Sequence, residues 1–286
     1  MKDQDRVRRA PDRFEEPAAS RSDASAGPEN GEAGQRAGKQ SQFVELDLQM
    51  LAADGFITPD APRSRIADEF RIIKRPLIAN ASAMQVPAKG NLIMITSAVP
   101  AEGKTFCSIN LAMSIALEFD RSVLLVDADV AKPSVLRVLG LPPRQGLLDV
   151  LRNRALDLSD VILRTNVEKL SVLPSGQSHR RATELLASEA MASLLAELSN
   201  RYPDRIIIFD SPPLLVATEA PVLATQMGQV VLIVRAESTL QSEVHQALAA
   251  IEECPSKSIV LNQAGFLGHS GLGSRYGYGY GYGNED

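Results

Sequence analysis

Asn91-Leu-Ile-Met-Ile-Thr-Ser-Ala-Val-Pro-Ala-Glu-Gly-Lys-Thr-Phe106 is the stretch on which the fold turns. Its first seven residues form a short apolar run, of the length and composition of a strand buried on both faces. The next eight, Ala98–Thr105, fit a relaxed P-loop: a small residue, four variable positions, then Gly, Lys and Ser or Thr. Lys104–Phe119 then takes up helical period. Strand, glycine-bearing loop and helix is the order that aims backbone N–H groups and a helix N-terminus at phosphates. Gly103 permits close backbone approach, Lys104 meets the β/γ-phosphate charge and Thr105 offers a hydroxyl to Mg²⁺. Ala101, Glu102 and Phe106 complete the nucleotide-facing run. Two positions are off-pattern, since Ala98 and Ala101 carry a Cβ where glycine is common.

Outward from this stretch, the pattern alternates strands and helices. Ser122–Asp127, Arg205–Asp210 and Gln229–Arg235 read as buried strands, and Ser256–Asn262 as a last one. Thr183–Asn200 and Leu240–Glu253 read as helices. Upstream, Ile66, Phe70, Ile73 and Leu77 are spaced for one apolar face of a helix over Ser64–Ala79. Buried strands separated by helices predict an α/β fold of the P-loop NTPase kind, a mostly parallel sheet flanked by helices. Residues 1–42 are polar with a single aromatic, Phe14, and are expected to be a disordered N-terminal segment. Residues 43–270 form the domain, and 271–286 a Gly/Tyr-rich flexible tail that cannot build a core element.

Composition narrows the partners. With 23% charged residues and a net charge of −5, no basic excess points to nucleic acid. Cys107 and Cys254, far apart, fit a reducing cytoplasm and read as packing residues. His179, His245 and His269 are dispersed and carry no metal spacing. No apolar run of roughly 18 residues is present, so no membrane-spanning segment is expected.

Strand ends supply carboxylates. Ser122–Asp127 runs into Asp127-Ala-Asp129, and residues two apart on a strand face the same side. Arg205–Asp210 ends in Asp210-Ser-Pro-Pro213. The carboxyl edge of an open α/β sheet is where ligands bind, so three aspartates there suit Mg²⁺ and a general base. The tail places Tyr276, Tyr278, Tyr280 and Tyr282 at every second position with glycines between.

Thr96-Ser-Ala-Val-Pro-Ala-Glu-Gly-Lys-Thr-Phe106 resembles the Walker A of bacterial tyrosine autokinases. Val123-Leu-Leu-Val-Asp-Ala-Asp-Val-Ala-Lys-Pro133 is similar to their second Walker motif, and Ile207-Ile-Phe-Asp-Ser-Pro-Pro213 to their Walker B. The likeness runs from about Ser64 through Asn262, and is strongest to the cytoplasmic branch of exosortase-associated exopolysaccharide loci. It implies ATP and Mg²⁺ as cofactors, with Lys104 catalytic, and Thr105, Asp129 and Asp210 near the metal. Asp127 and Asp129 divide Mg²⁺ coordination and proton acceptance, Asp127 being the preferred base. Asn262 corresponds to a position that reads adenine, and the four tail tyrosines to the phosphoacceptors. Asp68, Arg71 and Lys74 repeat the charges and spacing of the family's ring-forming helical motif, on one flank of the helix.

The implied function is an ATP-dependent tyrosine autokinase acting between subunits and regulating exopolysaccharide synthesis or export. The implied partners are copies of itself and a membrane-embedded polysaccharide co-polymerase that activates it. Its place would be the cytoplasm, docked through that partner at the inner face of the membrane. Two other readings compete: a P-loop ATPase switch of the partitioning type, and a non-catalytic ATP-binding adaptor. No lysine precedes Lys104 in the loop, which disfavours the partitioning type.

Overall fold

The computed structural model describes residues 42–60, 64–83, 89–153, 155–201 and 204–265. The expectations for residues 1–41 and for Tyr276, Tyr278, Tyr280 and Tyr282 lie outside these residues, while Gln42, expected in the disordered segment, opens the first strand.

In chain order the elements are β1 (Gln42–Val44), α1 (Leu48–Ala53), α2 (Arg65–Ser82), β2 (Leu92–Ser97), α3 (Lys104–Ala116) and β3 (Ser122–Asp127). There follow α4 (Val135–Val138), α5 (Leu147–Arg152), α6 (Leu158–Val161), β4 (Leu163–Thr165), β5 (Leu170–Leu173), α7 (Ala182–Leu186) and α8 (Glu189–Arg201). The last are β6 (Arg205–Asp210), α9 (Glu219–Ala224), β7 (Gln229–Arg235), α10 (Gln241–Ala250) and β8 (Ser256–Asn262). The strands form one sheet in the order β1-β4-β5-β3-β6-β2-β7-β8. Every pairing is parallel except β4 with β5. This is the expected α/β architecture, with β2 and its P-loop near the middle.

Apolar strands alternate their side chains between two helix layers, so both faces need cover. Ile93 and Ile95 of β2 join Phe70 and Leu77 of α2 and Ile109 and Met113 of α3. Leu92 and Met94 join Leu195 of α8, Leu223 of α9 and Ile251 beyond α10 on the other face.

The helix read over Ser64–Ala79 runs on to Ser82, and the Ser64 hydroxyl oxygen accepts from Ala67 N at 3.2 Å to cap it. The single helix expected over Thr183–Asn200 is two. Ser188 interrupts it: its hydroxyl donates to Leu185 O at 2.7 Å and accepts from Met191 N at 3.3 Å, closing α7 and opening α8. Three short strands, β1, β4 and β5, extend the sheet beyond what periodicity predicted.

Candidate active site

The sheet places β2, β3 and β6 side by side, so their carboxyl ends converge. In the β3–β6 register Asp127 stands opposite Asp210. Both are buried, and the P-loop folds over them from the end of β2.

The loop's shape follows from residues that sequence reading set aside as off-pattern or as ligand contacts. Ala101 sits at φ 67° and Gly103 at φ 92°. An L-residue in that region costs about 1–2 kcal/mol, so something must hold Ala101 there. Glu102 does. The residue is 1% exposed; one carboxylate oxygen accepts from Val99 N at 2.8 Å, the other from Arg235 N at 3.3 Å and from the Thr239 hydroxyl. The Glu102 side chain is thus turned away from the cleft, and any phosphate contact falls to its backbone N–H. Asn262, expected to face adenine, lies behind the loop instead: its Nδ2 donates to Glu102 O at 2.8 Å. A Cβ on Gly103 would stand 2.1 Å from that nitrogen, so glycine is required at 103 both by φ and by space.

On the inner side, Asp210 is fully buried. It accepts from Thr105 Oγ1 at 2.7 Å and from Ser108 Oγ at 3.0 Å. Thr105 also meets Ser134 Oγ at 2.8 Å. Asp127 accepts through one oxygen from Ser134 N and Val135 N, each at 3.0 Å, while its other oxygen, Oδ1, is buried without a partner among the described residues. Asp129 accepts from Lys132 N at 3.1 Å. Burial, reinforced by Asp210, pushes the Asp127 carboxyl up to about 7. Burial raises Asp210 to about 6 against the opposing pull of the Thr105 and Ser108 hydroxyls. Burial also raises Asp129. The thiol of Cys107 is pushed up to about 12 by burial and by Asp210, which makes it inert.

Two cavities open on these groups. A cleft of ≈ 490 Å³ is walled by Lys104, Thr105, Phe106, Asp129, Lys132 and Arg137, with Pro212 and Glu219 opposite. An adjoining cavity of ≈ 480 Å³ has Asp127 in its wall, apolar sides from Pro133, Leu136, Leu141 and Pro143, and Arg144 with them. Arg137 lines both. Asp127 and Asp129, expected to share one site, thus line adjoining spaces.

The expected surface triad on α2 is altered. Asp68 and Arg71 pair in solvent. Lys74 turns inward, 5% exposed, and donates to Ser114 O at 2.6 Å while pairing with Glu118 at 2.6 Å. It neutralises the carbonyl end of α3, a usual place for a cation. Spacing alone put it on the charged flank, but a lysine stem packs readily beneath a helix. Ile72, 71% exposed, and Arg75 occupy the outer face instead.

Sequence reading also missed Ser108 and Ser134. Ser108 had a signal, being one helical turn from Lys104 and Thr105 on the same face of α3.

The residues fit a magnesium nucleotide: a buried unpartnered carboxylate oxygen on Asp127, two further aspartates, the Thr105 hydroxyl on Asp210 and Lys104 in the wall of the cleft. A family model described as an AAA domain matches residues 91–262. Tyrosine-protein kinase YwqD of Bacillus subtilis is 32% identical over 214 residues, covering 74% of this chain and 87% of the relative. Tyrosine-protein kinase wzc of Salmonella typhimurium is 30% identical, but the match covers 61% of this chain and only 24% of that much longer protein. The kinase domain of Escherichia coli tyrosine kinase ETK superposes with a TM-score of 0.64 at 25% identity, over 84% of this chain and 94% of that one. With the P-loop, the paired strand-end aspartates and these likenesses together, the chain belongs to the bacterial tyrosine-protein kinase family.

Proposed function

We propose that the chain is an ATP-dependent protein-tyrosine autokinase whose acceptors are Tyr276, Tyr278, Tyr280 and Tyr282, phosphorylated between subunits of a homo-oligomer. The observation that carries this reading is the cluster of Asp127, Asp129 and Asp210 around Lys104 and Thr105, with a second, apolar-walled cavity opening on Asp127.

Mg-ATP, when bound, supplies the electrophilic γ-phosphorus and the leaving ADP. Lys104 and the backbone of Ala101–Thr105 would hold the phosphates, and Thr105, Asp129 and Asp210 the metal. Leu136, Leu141 and Pro143 would give an acceptor ring an apolar wall beside Asp127. Asp127 takes the phenolic proton as the tyrosine oxygen bonds to the γ-phosphorus and the bridging bond to ADP breaks. A free phenol ionises near pH 10, and a carboxylate poised near neutrality is suited to receive its proton. Arg137, between the two spaces, faces the charge that develops on the transferred group.

Incubation with Mg-ATP and a fragment of the membrane activator, followed by mass spectrometry of the C-terminal peptide, tests the reading. Phosphate is expected on Tyr276–Tyr282 and nowhere in the same peptide of the Lys104→Met chain. An unphosphorylated wild-type peptide overturns it.

The proposed setting is regulation of exopolysaccharide synthesis or export in an exosortase-type system, with a membrane-embedded polysaccharide co-polymerase as activator; the likeness to kinases of that kind supports it. Among the described residues no helix is long and apolar enough to cross a membrane.

For the oligomer, the contact face is Asp68, Arg71, Ile72 and Arg75 rather than the expected set with Lys74. Sedimentation of Arg71→Ala/Arg75→Ala should show smaller particles than the wild type. An unchanged size removes this face from the assembly.

A further inference from the structure

The sheet ends on β8, whose one strand neighbour among the described residues is β7. Its residues alternate half-buried and exposed along all seven positions. Val260 packs inward with the α2–α3 layer. Ile259 and Leu261 point to the opposite face, in register with Leu232 and Val234, and remain 53% and 60% exposed because α10 does not reach them. An edge whose outer N–H and C=O groups meet no strand among the described residues, with an apolar exposed face, is a template for another strand, and natural proteins cover or blunt such edges.

We infer that the chain's own unmodified tail covers it: residues 276–282 add to β8 as an antiparallel ninth strand. The tail's spacing is the argument. Tyr276, Tyr278, Tyr280 and Tyr282 recur with the period of a strand, so one face is all tyrosine and the other all glycine. The tyrosine run is seven residues long, as is β8. With Tyr276 opposite Leu261, Tyr278 lies opposite Ile259 and Tyr280 opposite Lys257, placing three rings on the uncovered face. Aromatic–aliphatic pairs across strands are favourable there. The glycines fall on the inward face, beside Val260 and Ser258, where added side chains would have to find room. The connection, residues 262–275, is far longer than the 2–5 residues a hairpin turn needs.

Docked, the tail is held out of the acceptor cavity. A phosphate on Tyr276 or Tyr278 brings roughly −1.5 to −2 charges onto the apolar face of Leu261 and Ile259 and breaks the pairing, so modification of these two rings and docking exclude each other. The strand that receives the tail ends in Asn262, which is bonded to the P-loop through Glu102 O.

The test is hydrogen exchange of the unphosphorylated full-length chain without nucleotide, read on the peptide spanning 256–262. A Tyr278→Pro/Gly279→Pro variant serves as the comparison. Alternate N–H groups of a strand face its partner, so two successive prolines remove one such donor in either register. Exchange of the edge amides should be about tenfold faster in the variant. Equal exchange in the two chains overturns the proposal. So does protection that persists in the variant and grows with protein concentration, which would put a second copy on the edge. No ATP enters the measurement, so its outcome is separate from that of the kinase assay.

Discussion

Lys104→Met is expected to lower tail phosphorylation on the order of 10³-fold while leaving the fold in place. Lys104 opens α3 and stands in the wall of the cleft. Its positive charge acts on both Asp129 and Asp210. A methionine keeps the stem's volume and removes the charge. The phosphates then meet three aspartates with less positive charge beside them, and both nucleotide affinity and transfer fall. Among the described residues the core draws no hydrogen bond from the Lys104 ammonium, so the melting temperature should stay within a few degrees. Phosphotyrosine detection, nucleotide titration and a thermal melt on the same preparation check the three parts. Near wild-type transfer by the variant would remove Lys104 from the mechanism, whereas a collapsed melt would reveal a structural role.

Asp127→Asn should make the nucleotide-free chain more stable at pH 8 and cut transfer on the order of 10²–10⁴-fold. Asp127 is buried beside Asp210, and burial followed by that neighbour raises its carboxyl to about 7. A carboxyl raised in the folded state takes up a proton more readily there than in the unfolded chain. Its stabilising contribution is therefore complete below the ordinary carboxylate range and is lost as pH rises through about 7. Asp210, raised to about 6, loses its contribution in the same direction just below. The free chain should melt at lower temperature at pH 8 than at pH 5.5, and magnesium nucleotide should restore part of the difference. Asparagine keeps an oxygen for Ser134 N and Val135 N and places an uncharged amide where Oδ1 is unpartnered. A gain of about 2 kcal/mol at pH 8, some 4–8 °C, is expected, shrinking as pH falls toward the ordinary carboxylate range. An equal melting temperature at both pH values, in variant and wild type alike, would show that the carboxylate is not held at that expense.

The central strands and the P-loop helix were legible because long apolar runs and glycine-bearing turns are local signals. β1, β4 and β5 were not, because three or four residues are too few for a period to register and their pairing is decided by distant neighbours. The site was half legible. Lys104, Thr105, Asp127, Asp129 and Asp210 come from motifs that lie at strand ends, and the fold brings those ends together. The direction of a side chain is another matter. Glu102 and Asn262 face into the protein because of partners more than 130 residues away in sequence. Lys74 was assigned to a solvent face by charge, whereas the carbonyls closing α3 drew it inward. Split helices such as α7 and α8 turn on one serine whose hydroxyl competes with the backbone.

The ties from Glu102 to Arg235 and Thr239, and from Asn262 to Glu102, also carry a consequence for chain synthesis. The P-loop motif is made early, but the contacts that hold Ala101 and Gly103 in left-handed conformations arrive only with β7 and β8, the last strands described. Pairings that join residues 160 apart form late, after the closure entropy of everything between has been met. A nascent or truncated chain that stops short of Asn262 would therefore hold the whole phosphate-binding motif without its shape. Capture of nucleotide is in this sense a proofreading signal: it reports that the polypeptide has been completed through β8.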